Sequence, residues 1–401
     1  MSFFIPENVK YLLSSLESRG YRADIVGGSV RDLLLGKTPD DYDITTSATP
    51  DETKAVFADE RTVDTGIKHG TVSIILEGRA YEITTYRVDG EYKDSRHPET
   101  VSFTRNIEED LARRDFTVNA IAYSTVYGIT DPFGGRGDLE RGIIRAVGDP
   151  DLRFSEDALR ILRGIRFSAV LGFGIEKKTA AALRERKSLL KNVSAERIYV
   201  ELRKMISASY AYGVINEYSD VITLVIPSLD RIILPDEGLF AEADYTARLL
   251  SMFYLSADEP ASAFDKACTA LRTDAHIREL GREVLLAVGK FDLADEISLT
   301  HALRELGEEK LEALLRLEIL LGRAKSEVLS AFKELLSSGV CYRISQLKVD
   351  GRDMMSLGLC GKQIGEVLES LLSAVIDRHA ENQKETLLVL AKEMKEQKLA
   401  N

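Results

Sequence analysis

The spacing of apolar residues changes once along this 401-residue chain, near Arg153, and that change limits the folds that the chain can adopt. Before it, short β-rich runs alternate with short amphipathic stretches. Thr71–Leu76 and Ala80–Arg87 are two such runs, and the residues Glu77-Gly78-Arg79 between them predict a β-hairpin. Tyr42–Thr45 is predicted to be a further short strand. The N-terminal part is therefore predicted to be a mixed α/β unit.

Beyond Arg153 the pattern is helical almost throughout. Three successive helices are predicted there: Ser155–Val170, Lys177–Leu190 and Ala195–Ile206. The strand-like runs of this part are chiefly Val221–Ile226 and Arg231–Leu234. We therefore expect an α+β fold, in which a compact α/β head is followed by a long helical body.

The composition excludes several classes of protein. Hydrophobic residues make up 44% of the chain and charged residues 29%, which excludes wholesale disorder. No run approaches the ~20 apolar residues of a membrane span, and the first residues lack the pattern of a secretory signal. The three cysteines are scattered and odd in number, which argues against a disulfide framework or a zinc site. We expect a cytoplasmic protein.

The charge is unevenly distributed along the chain. The net charge of −12 argues against a protein that coats nucleic acid electrostatically. Between Arg153 and Lys191, however, basic residues outnumber acidic ones. Such a local basic stripe can bind phosphates in a salt-dependent way, although a solvated helix face would have the same composition.

A glycine turn and a pair of aspartates form the most informative stretch. Gly27-Gly28 precedes a predicted helix, so backbone N–H groups and the helix N-terminus can approach a phosphate, and Arg31 can add a charged contact. A plain tight turn is the alternative. Asp41 and Asp43 alternate with Tyr42 on the predicted strand, which places both carboxylates on one face. Two such carboxylates suit Mg²⁺, although a solvated loop would also carry them.

A third carboxylate would complete a two-metal site that holds the attacking and leaving oxygens in line. Glu82, which shares a face of its β-rich run with Thr84 and Tyr86, is the candidate. An outward, solvated strand residue is the equal alternative.

The order of the motifs resembles that of a known family, the class II tRNA nucleotidyltransferases and bacterial poly(A) polymerases of the polymerase-β superfamily. The motifs are Gly27-Gly28-Ser29-Val30-Arg31-Asp32, Asp41-x-Asp43, Arg113-Arg114-Asp115-Phe116-Thr117-x-Asn119-Ala120, Asp131-Pro132-Phe133-x-Gly135, Glu156-Asp157-x-x-Arg160 and Ser194-x-Glu196-Arg197. Further on, Gly351-Arg352-Asp353, Gly361-Lys362-Gln363-Ile364-Gly365 and Asn382 look like the tail of the bacterial CCA-adding form.

This resemblance implies a domain order: a catalytic polymerase-β-like head in residues 1–150, a neck with a base-recognition helix in 151–210, a body in 211–340 and a tRNA-binding tail in 341–401. It also implies a Mg²⁺-dependent enzyme that adds C, C and A to the 3′ end of tRNA from CTP and ATP and releases pyrophosphate. Asp41 and Asp43 would be the catalytic, metal-binding residues. The nucleotide-binding residues would be Gly28, Arg31, Arg114, Asp157, Arg160, Arg163 and Arg166.

The predicted helix near Ser155 suggests how a base could be selected. Asp157 and Arg160 lie three residues apart and would be surface neighbours on a helix. A carboxylate beside a guanidinium complements the amino group and ring nitrogen of cytosine and adenine, and repels the carbonyl and N–H of uracil and guanine. Alternatively, Asp157 only favours the helix dipole and Arg160 forms a surface ion pair.

Several alternatives stay open from the sequence. In the family, a flexible loop such as Asp89–Thr100, with its Glu91-Tyr92-x-Asp94-x-Arg96 segment, accompanies A addition, so terminal A addition is expected. An A-adding enzyme and a bacterial poly(A) polymerase would share this head. An antibiotic nucleotidyltransferase is disfavoured by the Glu156-Asp157-x-x-Arg160 motif. A nonenzymatic RNA-binding module is the alternative of a different class, disfavoured by the intact Asp41 and Asp43.

Overall fold

The computed structural model describes residues 3–90 and 101–399, which divide between Pro227 and Ser228 into an N-terminal and a C-terminal unit. The predicted loop Asp89–Thr100 falls mostly outside the described residues. The expected α+β class is confirmed, since a mixed sheet in the N-terminal unit is followed by helices. No helix in the described part of the chain has the length and apolarity needed to cross a membrane.

A seven-stranded sheet in the order β3-β4-β5-β2-β1-β8-β9 is the centre of the N-terminal unit. Its strands are β1 (Ala23–Val26), β2 (Ile44–Thr46), β3 (Arg61–Gly66), β4 (Thr71–Leu76), β5 (Arg79–Thr85), β8 (Ala122–Ser124) and β9 (Gly128–Thr130). Two small ribbons pair β6 (Arg87–Asp89) with β7 (Val101–Phe103), and β10 (Ile143–Ile144) with β11 (Gly174–Ile175). The pair β2–β5 is parallel and its neighbours are antiparallel, and the predicted hairpin is confirmed as β4–β5.

The helices of the N-terminal unit cover the sheet and continue beyond it. They are α1 (Glu7–Ser18), α2 (Gly28–Leu34), α3 (Pro50–Val56), α4 (Ile107–Ala112), α5 (Gly135–Arg141), α6 (Pro150–Glu156), α7 (Leu159–Leu171), α8 (Lys177–Arg186), α9 (Ala195–Ile206), α10 (Ala211–Glu217) and α11 (Ser219–Val225). A buried apolar cluster lies around the end of β1: Val26, Tyr86, Ile107, Leu111, Ala120, Ala122 and Val147. It supports the turn that follows β1.

Local sequence explains several of these helix ends. Thr49 and Glu52 form a capping box, and Pro50 occupies the first turn of α3. Helix α9 has the predicted bounds. The predicted helix Lys177–Leu190 is shorter, because α8 ends at Arg186 and a 3₁₀ segment, Lys187–Asn192, follows.

The predicted helix Ser155–Val170 is wrong in its first turn. Helix α6 ends at Glu156, and Asp157 has extended backbone angles of φ −138° and ψ 102°. Helix α7 then begins at Leu159, where the Asp157 Oδ1 atom accepts a hydrogen bond from the Leu159 N–H at 3.1 Å. A short polar side chain that bonds the backbone two residues ahead favours such a break over a continuous helix.

The C-terminal unit is helical throughout its described residues. Its helices are α12 (Glu237–Glu242), α13 (Tyr245–Ser256), α14 (Pro260–Leu271), α15 (Ala275–Ala287), α16 (Glu296–Leu306), α17 (Glu308–Leu320), α18 (Glu327–Ser337), α19 (Gly351–Ser356), α20 (Lys362–Ile376) and α21 (Lys384–Leu399).

Both strand-like runs beyond Arg153 are wrong. Most of Val221–Ile226 lies in α11, and Arg231–Leu234 has no regular structure. Val221, Ile222 and Val225 are buried at helical spacing, so tertiary packing of an apolar helix face overrides their β propensity.

Candidate active site

The glycine turn brings three parts of the N-terminal unit together. Gly27 follows β1 with φ 71°, and α2 begins at the next residue. A Cβ atom at Gly27 would lie 2.9 Å from Arg114 Nη1 and 3.6 Å from Asp43 Oδ2. Only glycine fits this combination of positive φ and close approach. The turn, the aspartate motif and the double-arginine motif therefore meet at one place.

Asp41 and Asp43 lie in the loop before β2 and not on the strand itself, which corrects the predicted strand Tyr42–Thr45. The alternation nevertheless persists, because Tyr42 is buried while both aspartates are exposed. The buried Ser29 holds this loop: its Oγ donates to the Asp41 carbonyl at 3.0 Å and accepts from the Asp43 N–H at 3.1 Å. One hydroxyl thus connects the glycine turn to the aspartate motif.

The electrostatics of the two carboxylates differ. Partial desolvation raises the pKa of Asp43, the positive charge of Arg114 opposes that rise, and the negative charge of Asp41 adds to it. Asp41 instead forms an exposed ion pair with Arg79 at 3.2 Å. Asp43 is thus a carboxylate whose surroundings disfavour its negative charge, which is the environment that a bound cation would reverse.

The donor set at this loop fits Mg²⁺. Two carboxylates are enough when substrate phosphates supply the other oxygen ligands. Glu82 is exposed and directly precedes Ile83, the partner of Ile44, so the parallel register puts it level with Asp43. Among the described residues, however, no group of three His, Cys, Asp or Glu side chains is arranged to hold a metal.

The arginines proposed for the triphosphate both lie beside the turn. Arg31 is held by Asp32, with Nε 2.9 Å from Oδ1, and by Asn119, with Nη1 2.9 Å from Oδ1. Arg114 bonds Asp110 at 3.4 Å, and its buried Nε has no hydrogen-bond partner in the described part of the chain. Burial lowers the pKa of Arg114. An incompletely paired guanidinium next to an N-terminal helix turn is suited to an anion.

Asp157 and Arg160 do not lie on one continuous helix, and their side chains have different partners. Asp157 Oδ2 bonds Arg197 on α9 at 2.8 Å. The nearly buried Arg160 donates to Glu156 at 2.6 Å and to the carbonyls of Arg153 and Arg113. Asp157 keeps unused lone pairs, because a carboxylate offers about four acceptor positions.

Arg163 and Arg166 occupy the same side of α7 and are both held by buried acids. Arg163 approaches Asp115 to 2.6 Å, and this charge raises the pKa of Arg163. Arg166 pairs with Glu201 on α9 at 2.5 Å. The apolar residues Ala158, Leu159, Leu162, Ile165 and Ala169, at the start of α7 and along it, are buried.

The ring of Phe167 joins three of these arginines. The guanidinium carbons of Arg31, Arg163 and Arg166 lie 5.5, 5.4 and 3.9 Å from its centre. Such contacts fix cations by the ring quadrupole. Three of the seven expected nucleotide residues therefore contact the same ring in the N-terminal unit.

Comparison with known proteins agrees with this geometry. The poly A polymerase head domain family matches residues 23–145, and the family described as probable RNA and SrmB-binding site of polymerase A matches residues 172–220. A CCA-adding enzyme of Enterococcus faecalis is 35% identical over 398 residues, which cover 96% of this chain and 95% of the relative. The chain belongs to the CCA-adding enzyme family. The resemblance inferred from the motifs is therefore confirmed.

Other CCA-adding enzymes are similar over nearly the whole chain. That of Streptococcus gordonii is 37% identical over 395 residues, covering 96% of both chains. The crystal structure of the Bacillus stearothermophilus CCA-adding enzyme in complex with CTP has a TM-score of 0.81 at 28% identity, and the match covers 99% of this chain and 100% of that one.

Some residues of this family member's site were not singled out by sequence reasoning. Asp115, Asn119 and Arg197 belong to the motifs quoted above, but their roles as partners of Arg31, Arg163 and Asp157 become visible only in the structure. The position of Glu201 could have been inferred from the sequence in one respect. It follows Arg197 by four residues, so both face the same side of α9.

Proposed function

We propose that this chain adds C, C and A to the 3′ end of tRNA, using CTP and ATP and no nucleic-acid template, and releases pyrophosphate. The observation that carries the proposal is the meeting of Gly27, Asp43 and Arg114, which brings a glycine turn, a carboxylate pair and a partly buried arginine together. Its relatives, named as CCA-adding enzymes over almost their whole length, support the same activity.

The chemical step needs a triphosphate held beside two carboxylates. Gly28, Arg31 and Arg114 would bind the triphosphate, so that the terminal ribose hydroxyl of the tRNA can attack the α-phosphorus in line with the leaving pyrophosphate. Asp41 and Asp43 would hold Mg²⁺, which when bound makes the hydroxyl more acidic and neutralises charge on the leaving group. Ser29 keeps both carboxylates on a fixed loop.

Base selection would fall to the residues around the start of α7. The free lone pairs of Asp157 can accept from the amino group of cytosine or adenine. Arg160, with hydrogens left after its contacts with Glu156 and the two carbonyls, can donate to the ring nitrogen. Arg163 and Arg166 would line the same pocket. Uracil and guanine present the opposite pattern and are disfavoured.

The assignment of the remaining parts is also a proposal. We infer that residues 1–150 are the catalytic head, 151–210 the neck, 211–340 the body and 341–401 a tRNA-binding tail. The solved structure of the Thermotoga maritima CCA-adding enzyme complexed with tRNA shares the fold at a TM-score of 0.69. The three free cysteines support a reducing, cytoplasmic location.

One experiment tests this function against its alternatives. Unmodified tRNA lacking its 3′ end is incubated with the protein, Mg²⁺ and labelled CTP, ATP or both, and the products are sized on a gel. We expect two C residues with CTP alone, and C, C and A with both nucleotides. A long A tail with ATP alone would indicate a poly(A) polymerase, addition only to tRNA ending in CC would indicate an A-adding enzyme, and binding without turnover would indicate an RNA-binding module.

A further inference from the structure

Asn119 is a buried amide that the proposed mechanism leaves without a role. It ends the 3₁₀ segment Thr117–Asn119 and is 6% exposed. Its Oδ1 accepts from Arg31 Nη1 at 2.9 Å, and its Nδ2 donates to Asp115 Oδ1 at 3.3 Å. The side chain therefore lies directly between a triphosphate arginine and a buried carboxylate.

The two partners determine the orientation of this amide. A carboxylate can only accept hydrogen bonds and a guanidinium can only donate them. The Asn119 NH₂ group must therefore face Asp115, and its oxygen must face Arg31. An aspartate here would repel Asp115 and a lysine would repel Arg31, so the neutral amide is the side chain that satisfies both.

Asp115 is a fixed anchor for this chain of contacts. It is 8% exposed, accepts from the Phe116 N–H at 2.8 Å and pairs with Arg163 at 2.6 Å. The Arg163 charge, with these hydrogen bonds, holds the pKa of Asp115 below its ordinary value despite burial. Asn119 is thus attached to a carboxylate that stays ionised and does not move freely.

Arg31 in turn has one partner on each side of its guanidinium. Asp32 Oδ1 accepts a hydrogen bond from Nε at 2.9 Å, and Asn119 Oδ1 accepts one from Nη1 at 2.9 Å. The centre of the Phe167 ring lies 5.5 Å from Cζ. Since a guanidinium has five N–H donors, hydrogens remain for a phosphate. Without Asn119, the Nη1 end of the guanidinium would lose this hydrogen bond, whereas Asp32 contacts only Nε and Nη2.

We propose that Asn119 is a positioning residue that aims Arg31 at the triphosphate of the incoming nucleotide. The inference rests on the proposed function, because it takes Arg31 as a triphosphate ligand. It has a distinctive consequence: Asn119 acts on the part that CTP and ATP share, so its loss weakens both to the same degree and leaves base choice unchanged.

The test measures binding of inorganic tripolyphosphate, which has no base or ribose, to Asn119→Ala by isothermal titration calorimetry with the full chain and Mg²⁺. We expect about tenfold weaker binding, the size of one lost charge-assisted hydrogen bond. KM for CTP and for ATP should rise by the same factor, while kcat changes little. Asn106→Ala is the matched control, since the Asn106 side chain caps α4 through the Glu108 N–H, and it should bind tripolyphosphate normally.

A double-mutant cycle with Arg31→Ala separates this role from others. If Asn119 acts through Arg31, Asn119→Ala has no further effect on tripolyphosphate binding once Arg31 is removed. Additive losses would overturn the proposal, as would normal tripolyphosphate binding with weakened CTP binding, because Asn119 would then act on the base or ribose through Asp115. Should wild type transfer no nucleotide, the proposed function fails, whereas the tripolyphosphate comparison still reports on Asn119 and Arg31.

The stability of the variants is checked by their thermal melts. Asn119→Ser is the second variant, because it keeps a polar group in the buried position but is too short to reach both partners. Loss of a cooperative melt in both variants would make Asn119 a purely structural residue and would overturn the proposal.

Discussion

Replacing Asp157 by alanine should have two effects that can be measured separately, one on stability and one on base choice. Asp157→Ala removes the cap on the Leu159 N–H, worth ~0.5–2 kcal/mol, and the half-buried ion pair with Arg197. Hydrogen bonds to charged groups contribute about 1.5–3 kcal/mol, so the free energy of unfolding should fall by roughly 2–5 kcal/mol. At ~2–4 °C per kcal/mol for a unit of this size, Tm should drop on the order of 10 °C.

Base choice should change independently of that loss. Removing one partner of a base-edge contact reduces discrimination by about 1–3 kcal/mol, or ~10- to 100-fold. The ratio of kcat/KM for UTP to that for CTP should rise by this factor, because uracil has the size of cytosine and its O4 no longer meets a carboxylate. Guanine should gain less, since its exocyclic amine and its purine size still meet the pocket.

Two matched variants separate the effect on stability from the effect on base choice. Asp157→Asn keeps the cap but loses the charge that pairs with Arg197, so its Tm should fall less than that of Asp157→Ala. Its amide can donate to uracil O4, so the variant should accept UTP. Arg197→Met removes the ion pair without touching the base edge, so it should lower Tm and leave the UTP to CTP ratio near that of wild type.

The assay is single-nucleotide addition to tRNA lacking its 3′ end, with each of the four NTPs, alongside thermal melts. Strict rejection of UTP by both Asp157→Ala and Asp157→Asn would refute the reasoning, and Asp157 would then be only the residue that starts α7. Equal loss of selectivity in Arg197→Met would show that α9, and not the Asp157 carboxylate, carries the discrimination.

The remaining predictions concern metal binding, the loop and acid stability. Asp41→Asn and Asp43→Asn should each abolish addition of both C and A and weaken Mn²⁺ binding, measured by electron paramagnetic resonance, without a loss of tRNA binding; retained turnover in either would contradict the metal assignment. Deleting Glu91–Arg96 should spare the two C additions and impair the A addition, whereas equal loss of all three would contradict the expected loop role. The hydrogen bond from Arg105 and the Thr49 N–H lower the pKa of Glu52 from 4.5 to about 2, so its ionised form stabilises the fold above about pH 4.5, and this stabilisation is lost as pH falls toward 2. Glu52→Gln should therefore melt below wild type at pH 7, with the gap closing over that acid range; a gap independent of pH would contradict this.

Much of the fold could be predicted because its signals are local. The hairpin turn at Glu77-Gly78-Arg79 and the helical pattern of Ala195–Ile206 each depend on residues a few positions apart. Helix α9 accordingly has the predicted bounds. The Asp157 break was missed, since a polar residue that bonds the backbone ahead looks like an ordinary first-turn residue when only helical spacing is considered.

The sequence by itself determined the α+β class and the family, and it proposed a candidate site through the ordered motifs around Gly28, Asp41, Arg114 and Asp157. Only the tertiary structure decided which charged groups are partners. Asp157 pairs with a residue 40 positions away, Arg166 with one 35 away, and Arg31 with Asn119 at a separation of 88. No periodicity encodes such separations, because these contacts follow from how α7, α9 and the 3₁₀ turn pack together, and packing depends on buried surfaces that are brought together only when the chain folds.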